Sequence, residues 1–109
     1  MAYDEELAGR IRDLIGTDGV VEQKMFGGLA FLVGGHMAIA ASGQGGALVR
    51  VDPSESDELV AATAAEPMVM RGREMAGWLR VDAAALETDE ALQEWIDRGV
   101  DFARSLPPK

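Results

Sequence analysis

The chain contains no cysteine. Disulfides, zinc ribbons, iron–sulfur clusters and thiolate nucleophiles are therefore excluded together, and the composition fits a reducing compartment. Histidine is almost as scarce, with His36 alone, so a metal site would need carboxylates gathered around that one ring. Basic residues are outnumbered, 10 against 19 acidic, for a net charge of −9. Such a charge repels phosphate backbones and anionic membrane surfaces at long range. Nucleic-acid binding is disfavoured unless a local basic patch overcomes that field. Long hydrophobic runs are missing too. The longest mostly apolar stretch, Leu29 to Ala41, is broken by Gly34-Gly35-His36 and is too short to span a bilayer. The opening Met1-Ala2-Tyr3-Asp4-Glu5-Glu6 is acidic, where a signal peptide would be basic and then apolar. The expectation is a cytoplasmic protein with no membrane association.

Catalytic motifs are equally sparse. Ser42, Ser54, Ser56 and Ser105 stand in no G-x-S-x-G context. Gly43-Gln44-Gly45-Gly46 is followed by Ala47-Leu48, where a phosphate loop would continue with Lys and Ser/Thr opening a helix. Gly27-Gly28 feeds a strand, the wrong direction for a phosphate held at a helix N-terminus. His36, beside two glycines, reads as a polar turn residue rather than a base or ligand. No catalytic residue, no metal site and no cofactor is expected, and the chain is read as not an enzyme.

What is present specifies a fold. An apolar fraction of 48% over 109 residues supports one domain with its own core, residues 1–109. Leu7, Ile11, Leu14 and Ile15 fall on one helical face, with Asp4 as N-cap, a Glu6–Arg10 pair at i,i+4, and Gly16 closing the helix in a left-handed conformation. Thr17-Asp18-Gly19 then reads as a turn. Leu29–Val33, Met37–Ala41 and Ala47–Val51 read as three strands joined by glycine-rich turns, the first turn being Gly34-Gly35-His36. Asp52-Pro53-Ser54-Glu55 begins a short helix as a capping box, ending near Ala64. Met68-Val69-Met70 and Met75–Val81 form a hairpin with Arg71-Gly72-Arg73-Glu74 at its tip.

The last helix starts at the cap Thr88 and places Leu92, Trp95, Ile96, Gly99, Phe102, Ala103 and Leu106 on one stripe. Glu94 and Arg98 are spaced to pair on its outer face, and Pro107-Pro108 ends it. The class is α+β, a mainly antiparallel sheet of about five strands, meander plus hairpin, packed with N- and C-terminal helices.

Candidate binding residues follow from that arrangement. The helices carry most of the acid, whereas Lys24, Arg50, Arg71, Arg73 and Arg80 lie in or beside strands. Trp78 and Arg80 alternate along one strand and share a face. Lys24, Arg50, Arg73, Trp78 and Arg80 are therefore the candidate partner- or anion-binding set. The competing reading pairs these cations with Asp52, Glu22 and Glu74 at strand ends. The methionines, Met25, Met37, Met68, Met70 and Met75, fit either an irregular core or a plastic groove.

Lys24-Met25-Phe26-Gly27-Gly28-Leu29-Ala30-Phe31, then Met37, Leu48-Val49-Arg50-Val51, Gly72-Arg73, Met75, Gly77-Trp78-Leu79-Arg80-Val81, Trp95 and Phe102-Ala103-Arg104-Ser105-Leu106-Pro107 together resemble the N-terminal domain of the TfoX (Sxy) family. The chain departs from that pattern at Gly34-Gly35-His36, where the family has asparagines, and at Glu74, where it often has proline. It also stops at Lys109, where TfoX carries a second domain. The resemblance implies a YjbR-like α+β fold and a bacterial regulatory or interaction module of the stand-alone type. Its partner would be another protein or a second copy of itself. TfoX proper regulates competence for DNA uptake with the transcription machinery, which implies a nucleic-acid-associated regulator as the alternative, using a basic sheet face. A small-molecule binder or enzyme is the weakest of the three readings.

Overall fold

The computed structural model describes residues 3–16, 19–25, 27–43, 45–63, 65–70 and 72–107. The expected turn at Thr17-Asp18, Phe26 of the family-like segment, Gln44 of the second glycine turn, Ala64 as a helix end, Arg71 at the hairpin tip and Pro108 lie outside them.

Helix α1 runs Glu5–Ile15. Asp4 Oδ1 accepts from the amides of Glu6 and Leu7 at 3.0 and 3.1 Å, satisfying two donors that the first helical turn leaves unpaired. Gly16 follows with φ 81° and ψ −170°, a positive φ as expected but extended in ψ rather than left-handed helical. The Glu6–Arg10 pair is not made. Arg10 reaches across instead to the carboxylate of Asp89 at 3.1 Å and the carbonyl of Glu87 at 3.3 Å. A tertiary partner displaces an i,i+4 pair easily, because such pairs contribute only about 0.2–0.5 kcal/mol.

Six strands follow in one fully antiparallel sheet: β1 Val20–Met25, β2 Gly28–Val33, β3 His36–Ala41, β4 Ala47–Arg50, β5 Glu66–Met70 and β6 Arg73–Val81, in the order β1-β2-β3-β4-β6-β5. The expected three-strand meander is β2-β3-β4. β1 is the additional strand. Residues 21–24 are exposed, so they carry no apolar alternation to announce a strand; β1 is a strand because β2 pairs with it.

The β2–β3 turn is Gly34-Gly35 alone, with φ 61° and 86°. Two consecutive positive φ values are what a two-residue hairpin demands and what two glycines supply. His36 accordingly belongs to β3, not to the turn, and its Nε2 lies 2.7 Å from the Pro107 carbonyl oxygen. β3 bulges at Ala38, where the register with β2 slips between Phe31 and Leu32.

The expected single helix after Asp52 is split into a 3₁₀ turn, Pro53–Glu55, and helix α2, Ser56–Ala62. Asp52 Oδ1 caps the turn through the Ser54 amide and hydroxyl at 2.9 and 2.8 Å. Gly77 locks this corner to β6. Its amide donates to the buried Ser56 hydroxyl at 2.6 Å, and its carbonyl accepts from the Val51 amide at 2.8 Å. Its φ of 85° suits glycine, and an added Cβ would meet the Val51 carbonyl oxygen at 2.9 Å.

Helix α3, Asp89–Ser105, starts at Thr88, whose hydroxyl accepts from the Ala91 amide at 3.1 Å. Most of the expected stripe is buried: Leu92, Trp95, Ile96, Gly99 and Ala103 are inside, while Phe102 and Leu106 are half-buried. Arg98 does not pair with Glu94. Its guanidinium lies 4.5 Å from the Trp95 ring centroid. Together α1 and α3 cover one face of the sheet. Leu7, Ile11, Leu92, Trp95 and Ile96 meet Leu29, Phe31, Ile39, Val49, Leu79 and Val81 there. The opposite face carries Ala30, Met37, Ala40 and Leu48, bordered by Met25, Leu32, Met68 and Trp78; none of the described residues in that cluster comes from a helix. No described helix is long and apolar enough to cross a membrane.

Candidate functional site

The open sheet face is where the sequence-derived residues have to be placed. Directly opposed residues in an antiparallel ladder share a face. Leu48 opposes Arg80 and Arg50 opposes Trp78, so by register Arg50, Trp78 and Arg80 fall on the side of Leu48, with Arg50 at the end of β4, where its guanidinium also reaches Phe102 of α3. Trp78 and Arg80 share a face as expected. Arg50 adds itself to them because β4 pairs with β6, whose partnered residues lie 28 or more positions away in the chain, which alternation alone does not reveal.

Arg50 is the centre of this group. Its guanidinium carbon sits 5.1 Å from the Trp78 ring centroid and 5.4 Å from that of Phe102. Both distances fall within the range of cation–π attraction. No carboxylate of a described residue pairs with it. The helical period marks Phe102 only as a member of the α3 stripe. That it also flanks Arg50 follows from where α3 ends against the sheet, which no local pattern encodes. Arg80 opposes Glu66 across β5 and is already engaged within the fold.

The other two candidates are elsewhere. Lys24 opposes Leu29 and so lies on the helix-covered side, on the edge strand, about 14 Å from β4 at the usual strand spacing. Arg73 is exposed at the tip of the β5–β6 hairpin, opposite Met70 near the other edge. A basic sheet face uniting Lys24, Arg50, Arg73 and Arg80 is therefore not formed: period-two alternation turns Lys24 away on the β1 edge, and Arg73 stands at the hairpin end of β6, seven residues along the strand from Arg80. The competing strand-end pairings are not formed as drawn either. Glu22 is taken by Arg12, at 2.6 and 2.8 Å, and Asp52 by Ser54.

Those two acids are the electrostatically perturbed ones. The hydrogen bond from Arg12, reinforced by its charge, holds the Glu22 carboxyl below its ordinary range and raises Arg12 in turn. The Ser54 backbone amide, then its hydroxyl, lowers Asp52. Both are local structural pairings at the surface; Glu22 lies on β1, away from the Arg50 cluster, whereas Asp52 lines a cleft together with Phe102.

Met37, Met25 and Met68 serve as apolar packing of a second small core on the helix-free face, the core reading rather than an exposed groove. Met37 is buried there, and Met25 and Met68 border it; none of the described methionines lies in the core under the helices. Of the strand acids, Glu22 faces α1, Glu74 opposes Val69 on the far side from Met68 and Met75, and Glu66 alone reaches this face.

Elsewhere, a cleft of about 270 Å³ opens between the Pro53–Glu55 turn and α3, lined by Asp52, Glu55, Arg98, Asp101, Phe102 and Ser105. Asp52 is committed to capping, Arg98 to the Trp95 ring and the Ser105 hydroxyl to the Phe102 carbonyl at 2.6 Å, which leaves Glu55 and Asp101 as acids in a cleft whose described lining holds no histidine or lysine to act as their base. His36 is bound to the Pro107 carbonyl, away from it. Among the described residues no three of His, Asp and Glu are placed to hold a metal ion.

Two comparisons bear on this surface. The family model of the TfoX N-terminal domain matches residues 13–103, a span that contains every strand and the cation–aromatic cluster. No curated protein matches the chain.

Proposed function

The chain belongs to the TfoX N-terminal domain family, and from that premise we propose that residues 1–109 act as one non-catalytic regulatory domain that binds another protein through the open sheet face. One observation carries the reading. A strongly acidic molecule borders its helix-free face with half-buried Met25, Leu32, Met68 and Trp78, and the Arg50 guanidinium lies at the margin of that face, between the Trp78 ring and Phe102 of α3, free of any described carboxylate. Half-buried methionines repack around varied partners, and buried Trp and Arg are the residues that most often dominate binding energy. The matching partner is a protein surface that is apolar with a carboxylate to meet Arg50. A cytoplasmic setting fits the lack of cysteine; a role with the transcription machinery belongs to the nucleic-acid-associated alternative.

The test is capture from a bacterial lysate with the parent chain, Arg50→Ala, Trp78→Ala and, as a control on the other face, Lys24→Ala. One band retained by the parent and by Lys24→Ala, and lost by the first two while their circular dichroism is unchanged, is the expected result. Equal capture by all four, or none, refutes the reading. The dispersal of Lys24 and Arg73 away from Arg50 also predicts no gel shift with duplex DNA at low salt, where counterion release would make any basic patch bind most tightly. A salt-sensitive shift abolished by charge reversal at Arg50 and Arg80 would reinstate the nucleic-acid alternative.

A further inference from the structure

β1 and β5 are the two edges of the sheet. An edge strand presents a row of unpaired N–H and C=O groups that template another strand unless something blunts it. β5 is blunted, since Pro67 brings no N–H and the register with β6 breaks between Pro67 and Met68. β1 runs in unbroken register with β2, from Val20 opposite Val33 to Met25 opposite Gly28, with no proline or bulge. Its Val21 is 61% exposed, the most exposed of the large apolar side chains described.

We propose that β1 pairs antiparallel with β1 of a second copy of this chain, with the two-fold axis at Gln23, so that two sheets become one. The proposal concerns the strand edge and does not rest on the partner assigned to the open face. The register follows from side-chain facing. A two-fold axis normal to the sheet keeps the faces of the two copies aligned, so opposed residues must come from the same face. Val21, Gln23 and Met25 lie on the open face, opposite Leu32, Ala30 and Gly28, whereas Glu22 and Lys24 lie on the covered face, opposite Phe31 and Leu29.

Any residue-centred axis keeps this match, but within Val20–Met25 only centres on Glu22 and Gln23 pair five residues, and centres on Val21 or Lys24 pair three. Centring on Glu22 sets Glu22 against its own copy, and centring on Lys24 sets Lys24 against its own; like charges directly opposed are destabilising. Centring on Gln23 sets Glu22 against Lys24 of the second copy, twice by symmetry, and Val21 against Met25 of the second copy. Read in either direction, residues 21–25 run apolar, charged, polar, charged, apolar with the charges exchanged, which makes the strand complementary to itself. Glu22 remains available for this role. Each of its oxygens accepts one hydrogen bond from Arg12 and has a further acceptor site for an ammonium. On the open face, the Val21–Met25 contacts would carry the cluster of Met25 and Leu32 across the axis.

Sedimentation over a wide concentration range tests the pairing, with an expected concentration-dependent dimer for the parent chain. Lys24→Glu, which leaves the Arg12–Glu22 pair intact, should weaken it roughly tenfold or more, since two attractive cross-strand pairs become repulsive. The double variant Glu22→Lys with Lys24→Glu should restore it. Because the chain has no native thiol, Gln23→Cys should oxidise to a covalent dimer and Val21→Cys, which faces Met25, should not. Trp78→Ala should dimerise like the parent, which separates this proposal from the open-face reading. A parent chain monomeric at all concentrations, a Lys24→Glu variant that dimerises as tightly as the parent, equal crosslinking by the two cysteine variants, or dissociation by Trp78→Ala would each overturn it.

Discussion

Replacing Gly99 by alanine should destabilise the protein even though alanine is the better helix former. The substitution lies mid-helix, where Gly→Ala ordinarily gains about 1 kcal/mol. Here the new Cβ would stand 2.2 Å from the Ala38 carbonyl oxygen and 2.8 Å from its carbon. Ordinary C···O contact is about 3.3–3.6 Å, so helix and bulge must separate by roughly 1 Å. Both contacts are backbone, and no flexible side chain can yield. Lifting α3 opens gaps beside Trp95, Ile96 and Ala103, which are all buried, and a gap of 0.5–1 Å forfeits about a quarter to a half of each contact. Overpacking of this kind costs about 1–3 kcal/mol. Its origin in backbone puts this case at the upper end, for a net loss of about 1–2 kcal/mol and a fall in Tm on the order of 10 °C. The internal control is Gly9→Ala in α1, where an added Cβ meets nothing within 4 Å. It should be neutral to stabilising by up to about 1 kcal/mol. Urea melts of both variants read the contrast. If Gly99→Ala is as stable as Gly9→Ala, the close packing of α3 on the β3 bulge is wrong.

Other perturbations follow from the same contacts. Ser56→Ala leaves the buried Gly77 amide without its acceptor and should cost about 1–3 kcal/mol in a urea melt, the usual penalty for an orphaned buried donor. Thr88→Ala removes the acceptor for the Ala91 amide and should cost about 1 kcal/mol, while Thr88→Asp should retain most of the parent's stability. Glu22 and Asp52 both titrate below their unfolded values when folded. Their contribution is therefore fully present above the unfolded carboxylate range, near pH 4, and is lost as pH falls through the lower folded values. Melts from pH 6 to pH 3 should show less acid sensitivity in Glu22→Gln than in the parent; an unchanged slope would remove Arg12–Glu22 from the account.

Much of the architecture was legible because its signals are local. Asp4, Asp52 and Thr88 cap where capping chemistry places them, since each acts on amides two or three residues on. The α3 stripe was readable from a 3.6-residue period, and the β6 strand from alternation in Gly77-Trp78-Leu79-Arg80-Val81. β1 was not readable, for an exposed edge strand has no pattern apart from its partner. The two helical ion pairs failed for a related reason. Spacing permits Glu6–Arg10 and Glu94–Arg98, but Asp89 and the Trp95 ring lie closer to the arginines in the folded molecule.

By itself the sequence determined the class, the positions of the main helices and hairpins, the absence of thiol chemistry and the family. It also marked Trp78 and Arg80 as sharing a face. The tertiary structure alone decided which side of the sheet the helices cover, that Arg50 joins Trp78 between β6 and α3 while Lys24 and Arg73 do not, and that β1 is left as an open edge. The division has a physical basis. Caps, turns and periodicity act over a few residues, whereas sidedness, strand order and edges are set by pairings between segments distant in the chain, whose choice is made by the summed burial of the whole core.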